Sequence, residues 1–377
     1  MTKIYLIRHA EAEGNLYRIA QGQQNSLITD RGFRQIAALK KRFADIPVDA
    51  VYSSDLYRTC VTATAVYLPK GLPLRTCPEL REICVGDWEG RTWGEIARTD
   101  SQQMQDFSLH LDRWHVDGAE TPQQVLDRML AAVRRIAGEN PGRTVAVFSH
   151  GCSIRILLAA LQGYSIAQMG ETPLGSNTAV SLLEGDGDGL RVVFRDDVTH
   201  LTPELLRRHS SRTPAPKPLD PGLYFRPLQP EQEAWMLQCV RNGWADAALP
   251  EPYTDAAARR LCLSGTAAQA GILEGQPVGL LQFDSARDAA EGRGWISLLY
   301  VQREQRGRGY GVQLLGQSVQ HYRPLGRRSL CVALAAENAP AVRFFEEYGF
   351  FKTEERLADG RAVWEKDISF RPLESYR

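Results

Sequence analysis

Two arginines and two histidines follow buried segments of the chain, and side chains of these types can bind and transfer a phosphoryl group. Arg8 and His9 come directly after the apolar run KIYLI. His150 follows TVAVFS, and Arg58 lies one turn beyond VYSS. Cations gathered in a partly buried site are costly unless an anion joins them. The four residues therefore predict a site for a phosphate-like group.

The elements that must position these residues alternate between strands and helices. The runs KIYLIRH, DAVYSS and TVAVFSH each end on polar residues, and a helical pattern follows each of them. This alternation predicts an α/β fold with a mostly parallel sheet flanked by helices. Ligands of such sheets bind outside the carboxyl ends of the strands, where His9, Ser53 and His150 are expected to meet.

One further helix is predicted over ITDRGFRQIAALKKRF, with Thr29 or Asp30 as its N-cap. The residues expected on its buried face are Phe33, Ile36, Ala37 and Phe43.

Helix N-termini after Ser54 and Gly151 would add backbone amides to the anion site.

Four ordered motifs of the first half, LIRHAEAEGN, SSDLYRT, LREICVGDWEG and FSHG, resemble the histidine phosphatase (phosphoglycerate-mutase-like) superfamily. The stretches GAET at 118–121 and SNTAVSLLE at 176–184 extend the resemblance over the whole half. Ala10 stands where the family usually has glycine, and its methyl group is expected to crowd the turn.

The resemblance implies roles for individual residues. His9 would be the nucleophile that forms a phosphohistidine, and Glu82 would be the proton donor. The groups expected to bind the phosphoryl oxygens are Arg8, Asn15, Arg58, His150 and Gly151. No metal is implied. The motifs look more like the phosphatase branch that contains alpha-ribazole phosphatases than like the mutase branch, although mutase activity stays an alternative.

A glycine-rich turn in the second half predicts a pyrophosphate cradle. The strand ISLLYV runs into QREQRGRGYGV, where Gly307, Gly309 and Gly311 allow backbone amides to turn toward a ligand at a helix N-terminus. The turn contains no G-K-[ST], so it is not a P-loop, and its G-x-G-x-G spacing differs from the dinucleotide fingerprint.

The stretches YVQREQRGRGYGVQLL and LAAENAPAVRFFEEYGF resemble the GNAT N-acetyltransferase superfamily. The resemblance implies a mixed α+β fold with a splayed sheet, acetyl-CoA as cofactor and an amine as acceptor. The cofactor contacts it implies are Val301, Arg306, Gly307, Arg308, Gly309, Tyr310, Gly311, Val312 and Asn338.

Catalytic residues of the second half are less well defined than its cofactor loop. Phe345 stands where the family often has a tyrosine that protonates the thiolate, and Ser297 stands where an acidic residue is common. Tyr348 is a nearby candidate. The expectation is therefore a bifunctional enzyme, with a non-catalytic acyl-CoA-binding regulatory module as the alternative for the second half.

Length and composition indicate the number of domains, the classes of partner and the cellular location. A chain of 377 residues predicts two domains, and SSRTPAPKPLDPG divides it into residues 1–208, a proline-rich linker at 209–221 and residues 222–377. Equal numbers of basic and acidic residues, 45 each, favour neither nucleic acid nor a membrane surface as partner. Seven scattered cysteines without a C-x-x-C pair indicate a reducing, cytoplasmic location. The expected partners are a small phosphomonoester and an amine, and the oligomeric state is left open.

Overall fold

The computed structural model of the chain describes residues 1–186, 189–206, 221–247, 254–256 and 268–376. Within them the strands form two sheets, one between residues 2 and 197 and the other between residues 224 and 367. The linker predicted at 209–221 lies outside the described residues except for Pro221. None of the helices in the described ranges is both long enough and apolar enough to cross a bilayer.

In the described residues the first sheet has six strands, in the order β3-β2-β4-β1-β5-β6. They are β1 (Thr2–Arg8), β2 (Ala50–Ser53), β3 (Leu74–Thr76), β4 (Thr144–Ser149), β5 (Val180–Gly185) and β6 (Arg191–Asp197). The helices that accompany them are α1 (Glu13–Tyr17), α2 (Asp30–Arg42), α3 (Tyr57–Tyr67), α4 (Trp93–Thr99), α5 (Ser101–Leu109), α6 (Pro122–Glu139) and α7 (Gly151–Leu161). Single turns of 3-10 helix lie at Pro78–Leu80 and Gly86–Trp88, and a longer one at Ile166–Glu171.

The first sheet is parallel from β3 to β1, and β5 and β6 run antiparallel at one edge. Successive residues of β1 enter different hydrophobic clusters, Leu6 one and Ile7 the other. Val147 and Phe148 of β4 divide in the same way. Both faces of the sheet are therefore covered, which confirms the predicted α/β architecture.

Helix α2 begins as predicted, because the Thr29 side chain accepts a hydrogen bond from the Gly32 amide at 3.0 Å. The predicted buried face is wrong in part. Ile36 and Phe43 are buried, but Phe33 and Ala37 are exposed, and Leu39 completes the buried stripe instead. Phe33 stacks on Tyr376 at a centroid distance of 5.8 Å, a contact that helical periodicity alone does not reveal.

In the described residues the second sheet has seven strands, in the order β12-β13-β11-β10-β9-β8-β7. They are β7 (Tyr224–Pro227), β8 (Ala268–Leu273), β9 (Gln276–Asp284), β10 (Arg293–Val301), β11 (Ser329–Leu334), β12 (Phe351–Arg356) and β13 (Ala362–Asp367). Its helices are α8 (Glu233–Asp246), α9 (Tyr310–Tyr322) and α10 (Ala339–Glu347), with 3-10 turns at Pro230–Gln232, Arg303–Gln305 and Leu373–Tyr376.

Strands β10 and β11 diverge in the middle of the second sheet. Their parallel pairing covers Arg293–Trp295 against Ser329–Cys331 and goes no further within the described residues. Beside the point of divergence, the pairing of β10 with β9 shifts register between Ile296 and Leu298, so Ser297 forms a bulge. The sheet is mixed, as predicted, and it opens toward the carboxyl end of β10.

Candidate functional site

The register of the first sheet places the two predicted histidines side by side. Arg8 of β1 pairs with Ser149 of β4, and the His9 amide donates to the Ser149 carbonyl at 3.0 Å. His9 and His150 therefore leave adjacent parallel strands at the same edge. Their ring centroids lie 5.3 Å apart.

The tautomer of His9 is set by its own turn. Its Nδ1 atom lies 2.7 Å from the Ala10 carbonyl oxygen, which can only accept, so Nδ1 carries the proton. Nε2 is then left with a lone pair. Burial, followed by the charges of Arg58 and Arg8, holds the pKa of His9 well below its ordinary value. The ring is therefore neutral at neutral pH, with an unprotonated Nε2.

His150 is fully buried and is oriented by the neighbouring strand. Its Nε2 atom lies 2.9 Å from the hydroxyl oxygen of Ser54, and its Nδ1 atom has no hydrogen-bond partner among the described residues. Burial, then Arg58 and His9, hold the pKa of His150 well below its usual value. A buried ring nitrogen without a partner suits a site that is completed by a ligand.

Both predicted arginines lie close enough to His9 to lower its pKa by their charge. Arg58 is 1% exposed and donates to the Gly22 carbonyl at 2.7 Å and the Gln24 carbonyl at 2.8 Å. Burial lowers its pKa to about 10, so it remains a cation at neutral pH. Arg8 donates to the Gly175 carbonyl, and its guanidinium lies against Gly151, where an added Cβ would be 2.9 Å from the Arg8 Cζ atom.

The carboxylate of Glu82 lies at the N-terminus of α7, where the sequence predicted that an anion would bind. Its carboxylate accepts from the amides of Cys152 at 3.1 Å and Ser153 at 2.9 Å, in the first turn of α7. The Ser153 hydroxyl adds a third bond at 3.1 Å. Two amides of the helix N-terminus expected to serve the anion are therefore bonded to Glu82, and this turn orients its carboxylate. The other helix expected to supply amides, α3, begins at Tyr57 and not directly after Ser54.

Asn15 is joined to His9 through Asn177, a residue that the sequence reasoning did not single out. The Asn177 Nδ2 group lies 3.0 Å from the His9 carbonyl and 3.2 Å from the Asn15 Oδ1 atom. The Asn15 Oδ1 atom also accepts from the Ala12 amide at 3.1 Å, which closes the first turn of α1. All the residues predicted for the first site are thus brought to one edge of the sheet.

In the second sheet, the glycine-rich turn has the backbone that a cradle requires. Gly307 and Gly309 have φ angles of 76° and 81°, and an added Cβ at either position would meet no described atom within 4 Å. The turn is therefore open, and α9 begins directly after it at Tyr310. Gly311 faces Phe344, whose ring an added Cβ would approach to 3.0 Å.

The other residues predicted around the turn have mixed placements. Arg306 donates to the Val301 carbonyl at 3.0 Å and to Asp246 at 2.7 Å, so it anchors the turn to β10 and α8. Tyr310 and Val312 have buried side chains, while Arg308 is exposed. Asn338 caps α10, accepting from the Ala341 amide at 3.2 Å.

Residues 4–198 match the family model described as the histidine phosphatase superfamily (branch 1). The chain belongs to the histidine phosphatase superfamily. Residues 231–350 match the acetyltransferase (GNAT) family model, so the second sheet belongs to a GNAT domain. Both resemblances inferred from the motifs are confirmed.

Curated relatives and a solved structure match the histidine phosphatase part. Phosphoglycerate mutase-like protein 4 of Arabidopsis thaliana is 31% identical over 53% of this chain and 86% of its own length. A protein named probable phosphoglycerate mutase GpmB, of Cronobacter sakazakii, is 28% identical over 43% of this chain and 76% of its own. The structure of YhfR of Bacillus stearothermophilus is 32% identical, with a TM-score of 0.52, and covers 53% of this chain and 99% of that one.

Three positions bear on whether the GNAT domain supplies catalytic groups of its own. Phe345 is 4% exposed and packs edge-on against Phe344 and Phe350, so it is a core residue without a hydroxyl to offer. Tyr348 ends α10 and packs on Phe344. Ser297 is exposed at the bulge of β10.

Ser54, Ser153 and Asn177 are three polar residues of the candidate site whose roles the sequence did not predict. Each acts by holding another residue, His150, Glu82 or Asn15. Ser54 and Asn177 lie inside motifs that carried the family resemblance, SSDLYRT and SNTAVSLLE. Membership of those motifs was the signal available for them.

Proposed function

We propose that the first domain hydrolyses phosphomonoesters through a phosphohistidine formed on His9. The observation that carries the proposal is the bond from His9 Nδ1 to the Ala10 carbonyl at 2.7 Å, which leaves Nε2 as a neutral nucleophile beside the arginines and His150. A small phosphorylated molecule is the expected substrate class.

In the first step the Nε2 lone pair of His9 attacks phosphorus, and the bond from phosphorus to the ester oxygen breaks. Glu82 supplies the proton that the leaving alkoxide takes up. Arg8, Arg58, Asn15 and the Nδ1–H of His150 bind the three phosphoryl oxygens and stabilise their charge as it is redistributed. For this bond to form, His150 must carry its proton on Nδ1, so Nε2 accepts from the Ser54 hydroxyl.

In the second step water attacks the phosphorus of phosphohistidine, and Glu82 takes a proton from that water. The phosphorus–nitrogen bond breaks, its electron pair returns to Nε2, and inorganic phosphate leaves. Glu82 is again protonated, and both residues are restored. The three bonds from the first turn of α7 keep the carboxylate fixed through both steps.

The test is hydrolysis of an aryl phosphate by the full chain, with trapping of the acid-labile phosphoenzyme. His9→Ala is expected to abolish both hydrolysis and labelling. Glu82→Gln is expected to slow hydrolysis by about 10²-fold or more. Hydrolysis that persists unchanged in His9→Ala would refute the assignment of the nucleophile.

For the GNAT domain we propose acetyl-CoA binding and transfer of the acetyl group to an amine. The open turn at Gly307 and Gly309, followed by the N-terminus of α9, supports a pyrophosphate site. Residues 307–312 would hold the pyrophosphate, with Asn338 near the pantetheine arm, and the bound thioester would supply the acetyl group. Arg306 would keep the turn in place.

Buried Phe345 and exposed Ser297 favour a second candidate for this domain, an acyl-CoA-binding module without transferase activity. The two candidates differ in whether an acceptor amine accelerates thiol release. Acetyl-CoA should be titrated into the full chain by calorimetry, and free thiol measured over a panel of amines. Binding with no amine-dependent thiol release supports the regulatory module.

The names of two relatives support phosphomutase activity as the second candidate for the first domain. A mutase keeps the phosphoryl group on the enzyme until an acceptor hydroxyl takes it, whereas a phosphatase releases it to water. The interconversion of 2- and 3-phosphoglycerate should be measured beside phosphate release. Phosphate release that greatly exceeds interconversion supports the phosphatase.

A further inference from the structure

Helix α1 of the phosphatase domain lies between the phosphate site and the GNAT domain. On one side it carries Asn15, which is bonded to Asn177 and through it to the His9 carbonyl. Toward α9, Tyr17 at the end of the helix and Ile19 just beyond it are buried in the same hydrophobic cluster as Leu315. The helix has five residues, so a displacement of its outer side would be transmitted directly to Asn15.

A bidentate ion pair crosses this interface. Arg323, which follows α9, donates to both carboxylate oxygens of Glu13, at 2.8 and 2.9 Å. The Glu13 side chain is 6% exposed and also accepts from the Leu27 amide at 3.0 Å. Arg323 is held in turn by the Ile368 carbonyl at 3.0 Å. Paired forks of this kind fix geometry as well as contribute energy.

The C-terminal segment of the GNAT domain contacts the other phosphate-binding element, α3. The Tyr57 hydroxyl lies 2.8 Å from that of Tyr376 and 3.1 Å from the Arg371 carbonyl, and it accepts from the Arg371 amide at 3.2 Å. Phe370 packs edge-on against the Tyr57 ring at 5.0 Å. Tyr57 is the first residue of α3 and directly precedes Arg58.

We propose that the GNAT domain positions the phosphate-binding groups of the phosphatase site. Arg323 holds Glu13 and thereby Asn15 on α1, and the segment 370–376 holds Tyr57 and thereby Arg58 on α3. Arg323 and Tyr376 are positioning residues, since each acts through a residue of the first domain. This inference rests on the phosphatase function proposed above.

The pattern of contacts explains why substrate binding should respond more than the chemical step. His9 and His150 are fixed by the pairing of β1 with β4, which lies within the first sheet and includes no strand of the GNAT domain in the described residues. Asn15 and Arg58 lie on short or terminal helical turns that the GNAT domain does touch. Loosening the interface should therefore weaken the hold on the phosphoryl oxygens and leave the nucleophile in place.

The decisive variant is Arg323→Met in the full chain, which keeps the apolar stem but removes the charge and both bonds to Glu13. Its matched control is Arg361→Met, which breaks an ion pair with Asp359 that stays inside the GNAT domain. The readouts are kcat and KM for an aryl phosphate, and the dissociation constant of inorganic phosphate measured by calorimetry.

We expect Arg323→Met to raise KM and the phosphate dissociation constant together, by about threefold to tenfold, with a smaller effect on kcat. Arg323→Lys keeps the positive charge but lacks the forked guanidinium, so it should restore only part of the lost affinity. Arg361→Met should resemble the unaltered chain. A folded Arg323→Met with unchanged KM and unchanged phosphate affinity would overturn the proposal.

A second variant is needed if Arg323→Met does not fold. Tyr376→Phe removes only one hydroxyl, and we expect it to raise the phosphate dissociation constant by about twofold or more. An unchanged constant in that variant would count against the proposal. Phosphate binding also separates this inference from the proposed function. A chain that binds phosphate but hydrolyses no ester would refute the phosphatase and still test the positioning.

Discussion

His150 Nε2 lies 2.9 Å from the Ser54 hydroxyl oxygen, and this bond joins the carboxyl ends of β4 and β2 at the candidate site. Ser54 is itself placed by its amide, which donates to the Phe148 carbonyl at 2.9 Å. The pair leaves His150 Nδ1 without a partner among the described residues. The ring is therefore oriented on one side and available to an anion on the other.

Replacing Ser54 by Ala should lower kcat/KM for an aryl phosphate by about tenfold, because His150 would lose the bond that sets its ring and tautomer. The matched control is Ser318→Ala, which removes a buried hydroxyl from α9 without touching the site. Steady-state kinetics on both variants test this. Equal kcat/KM values for the two would contradict the orienting role of Ser54.

The pH dependence of stability should reveal the neutral histidines. Burial holds the pKa values of His9 and His150 well below 6.5, so the folded chain binds fewer protons than the unfolded chain in mild acid. The contribution of the neutral rings to the free energy of unfolding is therefore fully present above pH 6.5. It is lost as the pH falls below 6.5, by up to about 1.4 kcal/mol per pH unit for each ring. Burial also lowers the pKa of His200, to about 4, so it adds to the same slope.

Urea unfolding at about pH 7.5 and about pH 5.5 measures this loss of unfolding free energy. For His9→Asn, the unfolding free energy should change less steeply with pH than for the unaltered chain. The difference should correspond to about one proton. An identical slope in the variant would mean that His9 titrates normally in the folded state.

The glycine-rich turn offers a matched pair of substitutions. Gly309 and Gly326 have φ angles of 81° and 72°, and neither would bring an added Cβ within 4 Å of a described atom. Alanine at either position should cost about 1 kcal/mol of stability through backbone strain. Gly309→Ala alone should also weaken acetyl-CoA binding by about tenfold, since its methyl group would enter the cradle. Calorimetry with acetyl-CoA on the two variants decides whether the turn binds the cofactor.

Gly316 lies in the middle of α9, where alanine would ordinarily stabilise a helix by about 1 kcal/mol. A Cβ added there would be 2.5 Å from the Tyr17 Cβ atom across the domain interface. Gly316→Ala should therefore destabilise the chain by a net of about 1–2 kcal/mol. Gly138→Ala in α6, where an added Cβ meets no described atom within 4 Å, should instead stabilise it. Thermal unfolding measures whether each variant is destabilised or stabilised. A stabilising Gly316→Ala would argue against close packing of the two domains.

Both folds, and the meeting of His9 with His150, could be predicted from the sequence because their signals are local. Apolar runs ending on His9 and His150 predicted parallel strands, and β1 pairs with β4 so that these residues lie together. The positions of Gly307 and Gly309 predicted a turn before a helix, and their positive φ angles and the start of α9 at Tyr310 agree with this. Patterns of this kind follow from backbone geometry within a few residues.

Contacts between residues far apart along the chain could not be predicted from these local patterns. Phe33 was expected in the core of α2, yet it is exposed and stacks on Tyr376, which is more than three hundred residues away along the chain. Glu82 was expected as a proton donor, but its hold on the first turn of α7 depends on how two separate segments pack. Hydrophobic periodicity reports which side of an element is apolar and not what will cover the other side.

The sequence by itself therefore determined two domains, their families and the chemical groups available to each. Tertiary structure alone decided that Arg323 of one domain pairs with Glu13 of the other, and that Tyr376 reaches Tyr57. The physical reason is that strand and helix patterns are encoded by neighbouring residues. An interface between domains depends on the shape and charge of two surfaces that form only when each domain has folded.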